Sequence, residues 1–360
     1  MLPVTALLVV LVLLVHKLKD KRHAMIAYKN NHRLSCVVAV RFAHPDLDRL
    51  TELAKSTDHQ FTFININGSF PAEMYSGHRV LDLDIDVDPS EPENITRVLS
   101  EAYKLGYSEC EHTHLLFMDA NVIVKRQFLD FMANNLVEHQ LFTVTEWVDR
   151  TSLEVGYLMF NDWFMSHNCA GDTLNYHFFA VKDDTYRLSG CHNRVFDKAA
   201  DIEVELFRKN ISVLHLDHGE TITYTPEATD FKSQTRHAIA DIRGRDRLPG
   251  LRSMVLTLLA FHAFYVAIAL YPTLMALLLF ALVHGAFWVV MRDHATHHPL
   301  SFVLTPFYIL WFDGVLIVGL VKRLRHGSKR NKALLEKIRL SREEEENNEA
   351  VSAEKKSPSS

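Results

Sequence analysis

The sequence has little cysteine and no marked excess of either charge. Its four cysteines, Cys36, Cys110, Cys169 and Cys191, form no C-x-x-C pair of the kind found in zinc and redox motifs. This scatter predicts free, packed thiols in a reducing compartment rather than a disulfide framework. The net charge is only −5, from 39 basic and 44 acidic side chains. Such a balance gives no strongly basic surface, and we expect no nucleic-acid partner.

Charged side chains are almost absent from three apolar stretches, residues 2–15, 251–291 and 302–321. The second stretch contains no acid, and it is long enough for two membrane crossings with a break at Tyr271 and Pro272. Lys and Arg cluster after the first and last stretches and before the second, which is the pattern of cytoplasmic flanks. The sequence therefore predicts a multi-pass protein of the cell membrane whose soluble domain is cytoplasmic.

Four units are predicted along the chain: an N-terminal membrane anchor (1–22), an α/β domain (23–250), C-terminal membrane helices (251–321) and a charged, largely disordered cytoplasmic tail (322–360). If every apolar stretch crosses, the basic residues after 321 lie outside, against the positive-inside tendency. Pro306 and Asp313 interrupt the last stretch, so we expect that segment to be the one that does not cross. Asp313 is either a functional acid at membrane depth or a marker of the interface, and the sequence leaves both interpretations open.

Short apolar runs alternate with helical patterns through the 23–250 domain. The runs at 34–40 and 114–118 are too short for buried helices, and the apolar spacing over 45–56 and 94–105 predicts helices between strands. This alternation predicts an α/β fold with a largely parallel sheet that is covered on both faces. In such sheets ligands bind at the carboxyl ends of the strands. That rule selects the segments 41–44, 65–69 and 119–121.

Two side chains with oxygen atoms follow the run at 114–118. Asp119 comes directly after it, and Asn121 projects in the same direction two residues later. Oxygen ligands at this spacing suit Mg²⁺ or Mn²⁺ beside a diphosphate, so the pair predicts a divalent-cation site. The same D-x-N pattern is also common in plain turns, and the spacing alone does not separate the two interpretations.

Five segments occur in an order that is typical of one family. Ala-Val-Arg-Phe-Ala at 39–43 is similar to a P-x-R-N-E-like loop, and Asn-Ile-Asn-Gly-Ser at 65–69 is similar to a D-D-G-S loop. The run at 114–121 resembles a strand ending in D-A-D, and Tyr-Arg-Leu-Ser-Gly-Cys-His at 186–192 resembles Y-x-x-x-G-G-H. Asp201 stands where a Glu-Asp pair is expected. Together these segments resemble the family-two, inverting nucleotide-sugar glycosyltransferases of the GT-A fold.

The apolar ends make the chain most similar to bacterial membrane glycosyltransferases that act on carotenoids or other lipids. The resemblance implies a GT-A-like, Rossmann-like domain and a membrane-bound transferase of the hexosyltransferase type. It implies that Arg41, Asn65, Asn67 and Asp119 bind the nucleotide sugar. It also implies that Asp119 and Asn121 bind the Mg²⁺ or Mn²⁺ cofactor.

Catalysis and the acceptor are assigned by the same resemblance. Asp201 is implied as the general base that deprotonates the acceptor hydroxyl, and Gly190 and His192 are implied on the acceptor side. The expected partners are a nucleotide-sugar donor, the membrane, and a lipid or carotenoid acceptor that offers a hydroxyl or carboxyl group.

The chain departs from the family at three acidic positions. Asn67 stands in the D-D-G-S segment, Asn121 replaces the second Asp of D-x-D, and Ala200 replaces the Glu of the Glu-Asp pair. An amide oxygen still accepts hydrogen bonds but carries no charge. A second hypothesis is therefore a catalytically inactive homologue that binds a partner or lipid as a scaffold subunit in a membrane complex.

A histidine cluster raises a third hypothesis from another enzyme class. His294, His297 and His298 match the H-x-x-H-H box of membrane di-iron enzymes, just after an apolar stretch. A polar interfacial loop that gains charge at mildly acid pH explains the same residues, and we favour that interpretation.

Overall fold

The computed structural model describes residues 2–19, 32–42, 47–71, 77–136, 140–144, 157, 174–197, 199–216, 222–224, 230–244, 251–291, 304–322 and 324–325. The predictions made for Cys169, for the histidines at 294–298 and for the tail beyond residue 325 fall outside these ranges.

Two sets of elements make up the described part of the chain. The strands are β1 (Leu34–Val40), β2 (Gln60–Ile66), β3 (Arg79–Leu83), β4 (His114–Asp119), β5 (Val122–Val124), β6 (Leu141–Val144), β7 (Phe178–Lys182), β8 (Leu214–Leu216) and β9 (Ile222–Tyr224). The helices are α1 (Leu2–Lys19), α2 (Leu47–Ser56), α3 (Ile95–Tyr107), α4 (Arg126–Asn135), α5 (Asp183–Ser189), α6 (Ala199–Arg208), α7 (Phe231–Gly244), α8 (Leu251–Leu270), α9 (Leu274–Met291) and α10 (Leu304–Lys322).

The α/β prediction is confirmed by a seven-stranded sheet in the order β3-β2-β1-β4-β7-β6-β8. Strands β1 to β4 are parallel to one another. Strand β7 is antiparallel to both of its neighbours, β4 and β6, and β6 pairs in parallel with β8. A separate two-stranded antiparallel sheet joins β5 to β9.

Each face of the main sheet is covered by helices, which explains why its central strand is apolar throughout. Along β1, Cys36 and Val38 belong to the cluster formed with α2 and α4. Val37 and Ala39 belong to the cluster on the opposite face, formed with α3, α5 and α6. Successive side chains of a strand point to opposite faces, so an unbroken run of buried residues is required when both faces are covered.

The two apolar ends of the chain pack together as one helical cluster. Val9 on α1, Phe261 on α8, Val283 on α9 and Phe312 on α10 are buried in it. Helix α7 joins the same cluster through Ala238 and Ile242. The predicted break in the second apolar stretch is confirmed, because α8 ends at Leu270 and α9 begins at Leu274.

Among the described helices, Leu304–Lys322 is the one that is long and apolar enough to span a bilayer by length and composition. The described apolar parts of three others are shorter: Leu2–Leu14, Val255–Leu270 and Leu274–Ala286. Pro306 and Asp313 do not interrupt this segment, since both lie within the continuous helix α10. Proline is tolerated in the first turn of a helix because its missing N–H has no partner to lose there. Asp313 Oδ2 lies 2.8 Å from His262 Nε2 on α8, so this acid joins two apolar helices.

Candidate functional site

The strand order reverses direction between β1 and β4. From β1 the chain moves outward to β2 and β3, and it then returns to the other side of β1 to form β4. In open α/β sheets the ligand crevice lies outside the carboxyl ends of the strands at such a reversal. Asp119 is the last residue of β4, and its register partner on β1 is Ala39, two residues before Arg41. The topology therefore places Arg41 and Asp119 at the crevice.

Arg41 and Asp119 form a buried ion pair. Arg41 donates to Asp119 Oδ2 from Nε at 3.1 Å and from Nη2 at 2.6 Å. It also donates from Nη1 to the carbonyl oxygen of Pro89 at 2.8 Å, which fixes the guanidinium against the loop before α3. The Arg41 side chain is 0% exposed and that of Asp119 is 1% exposed. Both residues were selected from the sequence, and the structure brings them into direct contact.

His177 is the third member of this group, and the sequence analysis missed it. Its Nδ1 lies 3.1 Å from Asp119 Oδ2, and its carbonyl oxygen accepts a hydrogen bond from the Asp119 N–H at 2.8 Å. The residue precedes β7, which begins beside the carboxyl end of β4 because the two strands are antiparallel. His177 could be predicted as a site residue only if the antiparallel direction of β7 were known. The ring is 25% exposed.

The Asp119 carboxyl is held in its charged form. Burial raises its pKa, and the Arg41 guanidinium together with the hydrogen bond and charge interaction with His177 lowers it by more, to about 2. The second oxygen, Oδ1, is buried and has no hydrogen-bond partner. A buried acceptor without a partner is costly, so this oxygen is well suited to accept a hydrogen bond from a ligand hydroxyl.

Asn65 and Asn67 lie at the same edge of the sheet, but their amide groups bind the chain itself. Asn65 donates to Asp82 Oδ1 at 2.7 Å and accepts from the backbone of Phe70 at 3.2 Å. Asn67, at a positive φ of 52°, donates to the carbonyl oxygen of Ile85 at 3.2 Å and accepts from its N–H at 2.8 Å. Asparagine tolerates the left-handed conformation better than most residues. These contacts shape the crevice wall.

The donor set at Asp119 does not fit a divalent cation. Oδ2 of this carboxylate is already bound by Arg41 and His177. Asn121 is buried two residues later, and its amide is neutral. Within the described residues, no three His, Cys, Asp or Glu side chains come together to hold a metal. Mg²⁺ in nucleotide sites relies on carboxylates as well as on substrate phosphates. The charge of the Asp119 carboxylate is already balanced by the Arg41 guanidinium.

Asp201 lies at the same edge of the sheet as Asp119, in the first turn of α6. Helix α6 leads into β8, which is parallel to β6 and therefore runs in the direction of β4. A helix that leads back to the start of such a strand begins at the carboxyl edge of the sheet, because it crosses the sheet in the opposite direction. Asp197, just before α6, lies 4.0 Å from Arg97 in the first turn of α3, which agrees with that position.

Gly190 and His192 lie at the opposite edge of the sheet. The ring of His192 is 6.2 Å from that of Tyr107, the last residue of α3, and α3 leads into the amino end of β4. Gly190 ends α5 with a φ of 82°, a conformation that glycine adopts without strain. The structure therefore does not bring these two predicted acceptor-side residues to Arg41 and Asp119.

No protein-family model and no curated protein matches the chain. Solved structures do match: a crystal structure described as a mycobacterial protein shares 12% identity, covers 59% of this chain and 73% of that chain, and has a TM-score of 0.39. Two crystal structures of S. aureus TarS 1–349, one of them in complex with UDP-GlcNAc, share 13% and 11% identity, with TM-scores of 0.35 and 0.36. Each of these two matches covers 82% of this chain and 92% of the TarS chain. Likenesses this low carry no argument about chemistry, so the function is argued from the site.

Proposed function

We propose that this chain is a membrane-bound inverting glycosyltransferase that moves a sugar from a nucleotide-sugar donor to a lipid-like acceptor. The observation that carries the proposal is the buried Arg41–Asp119 pair at the point where the strand order reverses. A buried charge pair costs desolvation energy and is weak support for stability. Its position in the ligand crevice of an α/β sheet therefore favours a binding role.

Polar groups from several elements suit a nucleotide sugar in this crevice. The unpartnered Asp119 Oδ1 is an acceptor for a ribose or sugar hydroxyl, and the part-exposed ring of His177 lies beside the same carboxylate. Asn65, Asn67 and the loop at Pro89 form the surrounding wall. Crevices with a few convergent polar groups and a carboxyl of perturbed pKa are typical of small-molecule sites.

Asp201 is the proposed general base. The acceptor oxygen attacks the anomeric carbon of the sugar, and the bond between that carbon and the diphosphate oxygen breaks. The electron pair of that bond leaves with the nucleoside diphosphate, while Asp201 takes the proton of the acceptor hydroxyl. Attack from the face opposite the leaving group inverts the anomeric configuration, and a carboxylate at the carboxyl edge is suitably placed for it.

The lipid-like acceptor and the membrane location are supported by the outer faces of the helices. Large apolar side chains of α1, α8, α9 and α10 point away from the helical cluster: Val4, Leu7, Leu8, Leu11, Leu14, Val255, Leu256, Leu259, Val266, Leu270, Leu274, Met275, Leu277, Leu278, Leu282, Phe307, Leu310, Ile317, Val318 and Val321. Apolar patches of this extent mark membrane or protein contacts. We propose a multi-pass protein of the cell membrane with a cytoplasmic α/β domain, whose acceptor, carotenoid or other lipid, partitions into the same bilayer.

The second candidate is an inactive homologue that acts as a membrane binding or scaffold subunit. It is favoured by the neutral side chains of Asn67 and Asn121, and by Ala200 next to the proposed base. Under this alternative the crevice keeps its shape, but the chain no longer catalyses sugar transfer. The two candidates differ in one measurable property, the release of free nucleoside diphosphate.

The test is to incubate the purified full-length chain in detergent with a panel of UDP-, GDP- and dTDP-sugars. Turnover or slow hydrolysis that releases nucleoside diphosphate above a no-protein blank supports the transferase. Binding of a nucleotide sugar without any release supports the inactive homologue. Neither binding nor release with any member of the panel removes the transferase and leaves the scaffold subunit.

A further inference from the structure

We infer that the Asp313–His262 pair of the helical cluster is a binding site for the hydroxyl group of an apolar alcohol in the lipid phase. The inference rests on the membrane location proposed above, because surrounding hydrocarbon supplies no water to a polar side chain. The site lies on α8 and α10, outside the α/β domain, so it can hold or fail independently of sugar transfer.

The pair joins two apolar helices through a fixed set of hydrogen bonds. Asp313 Oδ2 lies 2.8 Å from His262 Nε2, and His262 Nδ1 lies 2.7 Å from the carbonyl oxygen of Leu258. A carbonyl oxygen only accepts hydrogen bonds, so Nδ1 carries a hydrogen, and one more hydrogen lies between Nε2 and Oδ2. Both nitrogens of the imidazole ring are therefore engaged within the chain, and the ring holds the carboxyl group in place.

The other oxygen of this carboxyl group, Oδ1, is the atom that a ligand can use. Among the described residues, the side chain of Asp313 has one polar partner, His262. Oδ1 accepts hydrogen bonds whether the shared hydrogen is bonded to Nε2 or to Oδ2, because the ionised and the protonated carboxyl group both present an acceptor there. An acceptor without a partner is costly in hydrocarbon. A ligand that donates an O–H removes that cost.

The depth and the surroundings of the pair specify an apolar ligand. Asp313 is nine residues from each end of α10, which places it roughly 13 Å from either end of the helix. His262 and Asp313 are 38% and 28% exposed. The large side chains about one turn before and after each of them are apolar and 57–62% exposed: Leu259, Val266, Leu310 and Ile317. The polar pair is therefore the floor of a recess with an apolar rim.

Gly314 adds open space beside this floor. A Cβ added at Gly314 would meet nothing within 4 Å, so no contact in the described chain requires the smallest residue next to Asp313. Glycine is a poor helix former, and here its missing side chain leaves room for the body of a ligand. A recessed acceptor suits the narrow hydroxyl end of a lipid better than the convex surface of a second helix, which would meet the rim first.

A second polar pair of the helical cluster shows the arrangement expected of a purely structural contact. The hydroxyl group of Tyr265 lies 3.2 Å from His284 Nε2, and His284 Nδ1 lies 2.9 Å from the carbonyl oxygen of Phe280. His284 is fully buried, and both of its ring nitrogens have partners inside the cluster. The Asp313–His262 pair is instead partly exposed and keeps an open acceptor, so joining α8 to α10 does not account for it.

The experiment is photo-cross-linking of the full-length chain in nanodiscs of a saturated phosphatidylcholine. The probe is a long-chain primary alcohol that carries a diazirine, and its methyl ether is the matched control, with the same apolar body but no hydrogen to donate. The inference predicts that the alcohol labels the segments 259–266 and 310–317, identified by mass spectrometry of peptides. The ether should label them about three- to tenfold less, the loss expected for one hydrogen bond within a bilayer.

Two variants of Asp313 locate the acceptor. Asp313→Leu removes it and should reduce labelling by the alcohol to the level of the ether. Asp313→Asn is the matched control, since its amide can donate to His262 Nε2 while its oxygen still accepts, and it should keep most of the labelling. If Asp313→Leu fails to fold, the comparison of the alcohol with the ether on the natural chain still decides the inference.

Three results would overturn the inference. They are equal labelling by the alcohol and the ether, undiminished labelling of Asp313→Leu by the alcohol, and no label in either segment, which would indicate that another protein surface covers the recess. None of them affects the proposed transfer of sugar, which is measured by release of nucleoside diphosphate. A natural chain that is monodisperse in water without detergent removes the proposed membrane location instead.

Nucleotide sugars added to the same nanodiscs distinguish two sources of the alcohol. Transfer of sugar to the probe shows that the site holds the acceptor of the proposed reaction, whereas labelling without transfer shows that it holds a lipid alcohol other than the acceptor. Labelling supports the inference in both cases.

Discussion

Arg41 and Asp119 are 78 residues apart in the chain, yet two nitrogens of the arginine share a single oxygen of the aspartate, at 3.1 and 2.6 Å. The contact joins the carboxyl ends of β1 and β4, the two strands between which the sheet reverses its order. It leaves the other carboxylate oxygen, Oδ1, buried and without a hydrogen-bond partner. One oxygen is therefore held by the fold, and the other is a buried acceptor without a partner.

Removing one member of this pair should strongly destabilise the domain. We expect Arg41→Met to lower the free energy of unfolding by about 3–5 kcal/mol, because it leaves a buried carboxylate without its counter-charge. The measurement is denaturant unfolding of the full-length chain in detergent. The matched control is Arg97→Met, whose side chain is 48% exposed and pairs with Glu101 one turn later, and whose loss should cost at most about 0.5 kcal/mol. Equal losses in the two variants would contradict the role of the buried pair.

Acid should remove the contribution of Asp119 in a defined window. Its pKa falls from an ordinary value of 3.8 to about 2 in the folded chain, which corresponds to about 2 kcal/mol of stability. Because the folded pKa is the lower one, this contribution is complete above about pH 4 and is lost as the pH falls towards 2. The measurement compares unfolding of the natural chain and Asp119→Asn from pH 6 to pH 2. The difference in stability should shrink below pH 4, and a constant difference would contradict the assignment.

Asp201→Asn should abolish transfer while leaving nucleotide binding intact. The amide has the same shape as the carboxylate but cannot take a proton, and loss of a general base typically costs 10²–10⁴-fold in rate. The measurement is sugar transfer together with nucleotide affinity. Asp197→Asn is the control, since that acid is 77% exposed and lies just before the same helix. Retained transfer in Asp201→Asn would remove this residue from the role of base.

Two glycines of α10 provide a test of how closely α7 and α10 pack in the helical cluster. A Cβ added at Gly319 would lie 2.7 Å from Ile242 Cγ2 on α7, whereas one added at Gly314 meets nothing within 4 Å. We expect Gly319→Ala to destabilise the chain by about 1–3 kcal/mol through overpacking. Gly314→Ala should be neutral or slightly stabilising, because alanine is the better helix former. Thermal unfolding of both variants checks the pair, and identical behaviour would contradict the close contact of α7 with α10.

Most of the central strands and helices could be predicted because burial on both faces leaves an unbroken apolar run. The run predicted at 34–40 is β1, the one at 114–118 is β4 without its last residue, and the helix predicted at 94–105 is α3 shifted by one or two residues. The direction of β7 could not be predicted. It depends on the path of the chain before Phe178, and side-chain alternation is the same for parallel and antiparallel strands.

The site was predictable only in part, for the same reason. Arg41 and Asp119 follow apolar runs that were recognised as strands, so the rule about carboxyl ends located them. His177 precedes β7, and a rule that selects residues after the carboxyl ends of strands does not select it. Gly190 and His192 were assigned to the acceptor by resemblance, and they follow α5, which begins where the antiparallel β7 ends, beside the amino end of β4.

The central claim is that the chain transfers sugar to an acceptor in the lipid phase. The most direct test places the full-length chain in nanodiscs made from the lipids of its own host cells and supplies nucleotide sugars that carry a labelled sugar. Label should pass into the organic extract with the natural chain and remain in the aqueous phase with Asp201→Asn. Label that stays in the aqueous phase with both proteins, across the whole panel of donors, would contradict the account.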